Sequence, residues 1–262
     1  RLSNTSNRFS FALRGSYRIA KNYTSKADGT VYNTGFKEAN ASVLLQYKYE
    51  NNISTLNLTA YDNLQGIPDG SRDSLTRRFT KQVLEADADD IKNRPIVNNK
   101  ELNSYQLSPL HQHIQHFRIY SNHHYELKKG NIDILLAGQQ NIRREYNHPT
   151  TPQQAGMFVR LNTINYGFRF NSIIGQIAEY SAGINGMYQD NKNRNATDFP
   201  IPNYHLFDAG AYLVGKWKQK NWTISAGARY DTRFLSSPDF YVKRDQNTGY
   251  NRQVTIPDTT GA

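Results

Sequence analysis

From Phe9 to Ile19 every second residue is apolar or glycine: Phe9, Phe11, Leu13, Gly15, Tyr17 and Ile19. Between them lie Ser10, Ala12, Arg14, Ser16 and Arg18. A side-chain period of two is that of a strand with one apolar and one polar face. The pattern recurs along the whole chain in long segments, and nothing else in the sequence constrains the fold as much. Soluble sandwiches use strands of about 5–6 residues. Long strands that are polar on one side and aromatic-rich on the other belong to a transmembrane barrel.

The alternation predicts nine strands, over residues 8–20, 36–50, 53–62, 112–128, 131–146, 157–170, 176–189, 206–218 and 221–234. Short turns are expected at Asn51-Asn52, Lys129-Gly130, Asn171–Gly175 and Gln219-Lys220, because Asn and Gly accept positive φ cheaply. The other connections are long: 21–35, 63–111, 147–156, 190–205 and 235 onward. Short and long alternate throughout. In an antiparallel up-and-down barrel this puts the tight turns on one rim and the long loops on the other, as in outer-membrane barrels.

A two-residue turn at Lys129-Gly130 sets Leu127 against Ile132 and Phe117 against Ile142 on the apolar side. It sets His116 against Arg143 and Arg118 against Asn141 on the polar side. A turn at Gln219-Lys220 sets Trp217 against Trp222, the expected mark of an aromatic girdle. His123, Gln140 and Arg160 fall on the lipid side against the pattern, and 53–62 alternates weakly. An odd strand number does not close a bacterial single-chain barrel, so the chain reads as part of one. It begins at Arg1 without a charged-then-apolar leader, the expectation for a processed or partial chain.

Composition fits. Mean hydropathy is −0.77, and no apolar run approaches the ~18 residues of a membrane helix. A barrel stays polar on average because half of each strand faces a wet lumen. Aromatic residues make up 12%, enough for interfacial girdles. There is no cysteine, which excludes disulfides, thiolate zinc sites and thiol catalysis. The net charge of +10 suits a solvated or lipopolysaccharide-facing surface, or a basic funnel for an anionic ligand. The basic residues form no block, which argues against nucleic acid.

Several stretches, taken in order, resemble the barrel of TonB-dependent outer-membrane receptors of the Bacteroidetes type. They are Gly66-Ile67-Pro68-Asp69-Gly70, Arg77-Arg78-Phe79, Pro109 through Arg118, and Gly138 through Tyr146. Further on come Gln189-Asp190-Asn191, Ile201-Pro202-Asn203-Tyr204 and Gly227 through Arg233. The resemblance implies a 22-stranded barrel closed by a plug domain, driven by a TonB-type energy-coupling complex and importing a scarce, bulky nutrient. Plug motifs and a coupling box are not found in these residues, so the resemblance makes 1–262 part of one barrel domain. It further implies the cell outer membrane, contact with its lipid, and a small anionic or metal-chelate ligand, foremost a ferric siderophore.

Candidate sites follow from residue type. His111, His113, His116, His123, His124, His148 and His205 invite a metal, but no carboxylate or cysteine stands at ligand spacing, and they read as loop-base and wall residues. Glu85, Asp87, Asp89 and Asp90 lack the central glycine and spacing of a calcium loop. No nucleophile elbow, His-Glu-x-x-His or phosphate-cradling loop occurs, so no enzyme and no cofactor are expected. His116, Arg118, Asn141, Arg143 and Glu145 face the lumen toward the long-loop rim, with Arg229 and Asp231 at the equivalent height. Arginine suits carboxylate-bearing ligands through its two-pronged fork, and a wall-stiffening ladder of Arg–acid pairs is the competing role. The other readings are a glycan or peptide importer of the same architecture and, in a different class, a soluble basic all-β binding module.

Overall fold

The computed structural model describes residues 2–85, 88–175 and 177–254. Its strands are β1 (Leu2–Thr5), β2 (Phe9–Ala20), β3 (Thr24–Ser25), β4 (Gly29–Thr30), β5 (Phe36–Tyr49), β6 (Asn52–Gly66) and β7 (His111–Leu127). These are followed by β8 (Gly130–Tyr146), β9 (Met157–Ile174), β10 (Ala178–Asn193), β11 (Tyr204–Gln219), β12 (Trp222–Ser236), β13 (Tyr241–Arg244) and β14 (Asn251–Val254). Ten of them form one sheet in the order β1-β2-β5-β6-β7-β8-β9-β10-β11-β12. Every ladder is antiparallel, so the sheet is an up-and-down meander. The pairs β3–β4 and β13–β14 are small hairpins in the long connections. All nine expected strands are present. The tenth, β1, is too short to show alternation in the sequence.

Paired residues share a face, so each row of partners can be followed across the sheet. One row runs Leu13–Val43–Leu58–Ile119–Gly138–Ile164–Tyr188–Phe207–Phe234, apolar, aromatic or glycine on nine strands. No described residue packs over this face: Leu136 is 53% exposed, Ile164 56% and Trp222 74%. The buried apolar cluster lies elsewhere, in the long connections, where Val31, Phe79 and Val97 pack with Tyr32 and Leu102. The sheet is therefore inside out relative to a soluble protein.

The ladders slide by a constant step. Phe9 faces Tyr47, and β5 runs two residues further to Tyr49. Ile53 faces His124, which sets the start of β6 level with Tyr125, and β7 runs two residues on to Leu127. Asn131 faces Asn171, and by the same count β9 passes Ser172 by two residues to end at Ile174. Ala178 faces Trp217, and β11 again runs two residues on, to Gln219. One residue of slide per strand, about 3.3 Å for each ~4.8 Å of width, tilts the strands by about 35°, the value of a closed barrel.

The turns correct the expected registers. Leu127 pairs with Gly130, so the turn is Lys128-Lys129. Phe117 consequently faces Gln140, Arg118 faces Gln139 and His116 faces Asn141. Gln219 pairs with Trp222, so Trp217 faces Ile224 and the two tryptophans are diagonal rather than opposed. Tyr49 pairs with Asn52, which makes the first of these turns Glu50-Asn51. In each case the turn moves by one residue and the register by two, which preserves the faces. Two of the three turns open on a left-handed residue: Glu50 and Lys220 take φ of +53° and +46°, a conformation non-glycine residues seldom adopt. Gly130 stands outside its turn, with φ +145°, where a Cβ would strike the Asn171 carbonyl. Of the turn expected at 171–175, residues 171–174 belong to β9, which continues to Ile174.

Candidate functional site

The polar face carries a ladder of ion pairs. Asp133 accepts from Arg169 Nη2 at 2.8 Å and lies 2.7 Å from His124 Nδ1. Arg233 grips both oxygens of Asp208 at 2.7 Å, and Lys218 reaches Glu179 at 2.6 Å. Arg18 pairs with Glu38, which also accepts from Asn40 at 2.8 Å.

All seven expected site residues lie on this face, in two groups. Arg229 donates to both oxygens of Asp231, at 2.7 and 2.5 Å. With Asn165, Met187, Asp208 and Arg233 this pair lines a cleft of about 510 Å³. Arg229 faces Tyr212, whose row leads through Gly183 and Arg169 to Asp133. The other group lies further along the strands. His116 faces Asn141, their side chains 3.4 Å apart. Arg143 donates to Gln112 Oε1 at 3.3 Å, and Gln112 Nε2 donates to Glu145 at 3.1 Å. Arg118 stands 5.2 Å from the Tyr120 ring centroid. Neither Arg118 nor Arg143 pairs with a carboxylate among the described residues, and both are exposed.

The ladders add a residue the sequence reading did not single out. Arg14 faces Ser42, Ser42 faces Thr59 and Thr59 faces Arg118. Arg14 and Arg118 therefore share one row, three strand spacings or about 14 Å apart. Finding this needs the β6–β7 register, which a long intervening loop hides.

The long connections fold together at one rim. Asn33 donates to the carbonyls of Ile67 and Leu110 at 2.9 and 2.7 Å, tying the first connection to the second. Arg94 is gripped by Asp89 and Asp69, and its Nη1 reaches Ser71 at 2.9 Å. The adjoining Asp89 and Asp69 carboxylates raise its guanidinium further above its ordinary range. Glu85 bonds Thr150 and His148, and His148 Nε2 is 2.7 Å from Thr197. Burial pushes the Glu85 carboxyl up, but the bonds from Thr150 and His148 outweigh it and hold the group below its usual value. Of the acidic stretch, Asp87 lies outside the described residues, and Asp90 caps a short 3-10 turn, Ile91–Asn93. Among the described residues no group of His, Asp and Glu is arranged to hold a metal.

Two of the three residues that broke the alternation find polar side-chain partners. His123 bridges Ser54 and Ser121 at 2.9 and 2.8 Å, and Gln140 donates to Asn162 at 2.8 Å.

No family model and no curated protein matches this chain. Solved structures do. The FrpB iron transporter of Neisseria meningitidis superimposes on 90% of the chain, with TM-scores of 0.61 and 0.62 for its F3-3 and F5-1 variants at 14% and 13% identity. The ferric citrate transporter FecA, in its unliganded form, covers 96% with a TM-score of 0.50 at 14% identity. The fold is that of part of a β-barrel wall. The chain spans 36–40% of the length of these structures, so it accounts for part of such a barrel.

Proposed function

We propose that this chain is part of the barrel of a TonB-dependent outer-membrane importer, one barrel domain whose lumen a plug domain closes. The observation that carries the reading is the combination of an unpacked apolar face with a constant barrel stagger. A soluble binding module has no use for a face that only lipid can cover. The neighbours' fold and their printed role as iron transporters make a ferric siderophore or other anionic iron chelate the favoured cargo. Arg14, Arg118 and Arg143 support it: three exposed guanidinium groups on the polar face, with no carboxylate paired to them among the described residues. A chelate bearing several carboxylates can meet two of them at once, each through a charge-assisted fork.

The test is uptake. Cells that lack the gene, grown without free iron, should take up less labelled ferric chelate than the parent, and a protonophore should remove the difference. Unchanged iron uptake with loss of glycan or peptide uptake would keep the importer and replace its cargo. A product that stays monodisperse in water without detergent would overturn the barrel itself.

A further inference from the structure

The apolar face ends in a polar border toward the long loops, and one part of that border is a cluster of cations. Arg160 on β9 directly faces Lys192 on β10. On its other side Arg160 faces Ile142 of β8, and Arg144 lies one position further along that same face. Like charges set directly opposite each other weaken a sheet unless something neutralises them. The protein does so only in part. Lys192 lies 3.2 Å from Asp190. Arg144 donates to Gln115 Oε1 at 2.9 Å and lies over the Phe158 ring, 4.6 Å from its centroid. The Arg160 side chain makes no hydrogen bond among the described residues, and its Nε is buried without a partner. The carboxylates that border the patch are already engaged, Asp190 by Lys192 and Asp62 by Gln115 at 2.8 Å and His113 at 3.0 Å.

Along the strands from this cluster, past the polar pair Asn162 and Asp190, lie Ile164 and Tyr188, with Phe207 beside Tyr188, all three exposed. Cations at the head of an uncovered apolar surface match an amphiphile with an anionic head and acyl tails. We infer that Arg144, Arg160 and Lys192 bind the phosphate of a phosphorylated membrane lipid whose chains lie along Ile164 and Tyr188. The inference rests on the membrane reading above and goes beyond it, because that reading needs lipid but no particular headgroup.

The test uses the full chain in detergent micelles, with phosphatidic acid as probe and diacylglycerol as its phosphate-free control. Native mass spectrometry should show phosphatidic acid retained and diacylglycerol lost. The double variant R160Q/K192Q should lower retention about tenfold, and Arg160→Lys should keep part of it, because charge-assisted bonds are lost in the first and one point charge remains in the second. Equal retention by the double variant and the parent overturns the site, provided both keep a heat-modifiable barrel band on gels. Equal competition by inorganic phosphate overturns the lipid as its source. Protein that needs no detergent overturns the membrane reading first, and that outcome is distinct from failure of the site.

Discussion

Arg118 and Arg229 stand on one face of one sheet and differ in what holds them. Arg229 is locked onto Asp231 by two bonds, whereas Arg118 touches only the Tyr120 ring. A guanidinium already neutralised by its neighbour has little left for a ligand. Under the proposed function, Arg118→Ala in the full-length protein should weaken binding of a ferric chelate about tenfold, and Arg118→Lys should recover part of it, since a point charge replaces the fork. Arg229→Ala should leave affinity unchanged and lower the heat at which the barrel opens on a gel. Titration of both variants decides, and the reverse outcome would make Arg118 the structural residue. The sequence showed which of these residues share the polar face, because parity alone fixes that. It could not show that Arg229 finds its acid two positions away while Arg118 finds none, since pairing depends on rotamers and register.

Hairpins are the unit at which the alternation was most legible. Strand positions and faces follow from a period of two, which survives any shift of register by two residues. The turns were less legible because Glu50 and Lys220 occupy left-handed conformations that their side chains do not advertise. The connection 67–110 was not legible at all. Its fold depends on contacts such as Asn33 with Leu110 that link residues far apart in the chain. The faces themselves can be tested. Leu136→Arg and Ala226→Arg put charge on the apolar face and should each cost roughly 2–4 kcal/mol near the membrane midplane. Ala137→Arg, on the polar face, should be tolerated. Denaturant unfolding in lipid vesicles measures all three, and equal losses would break the assignment of faces.

The whole sheet has two unlike rims. One carries the turns at 50–51, 128–129 and 220–221 and the step from Ile174 to Ala178, and the other carries the interlocked long connections. The chain has no native cysteine, so single cysteines report cleanly. Leu75→Cys, at a position 90% exposed in the second long connection, should react with a membrane-impermeant maleimide on intact cells. Lys129→Cys should react only after the cells are opened, and labelling from outside would reverse the orientation. The constant slide of two residues per hairpin has a consequence for how such walls are made. Each hairpin meets the next through the same offset, so every seam between hairpins is geometrically equivalent. Copies of one hairpin could be inserted, deleted or exchanged between related walls at the tight turns without leaving a step in either rim. A wall with this property can change its circumference by duplication of a short stretch of gene, while the loops at the far rim diverge independently.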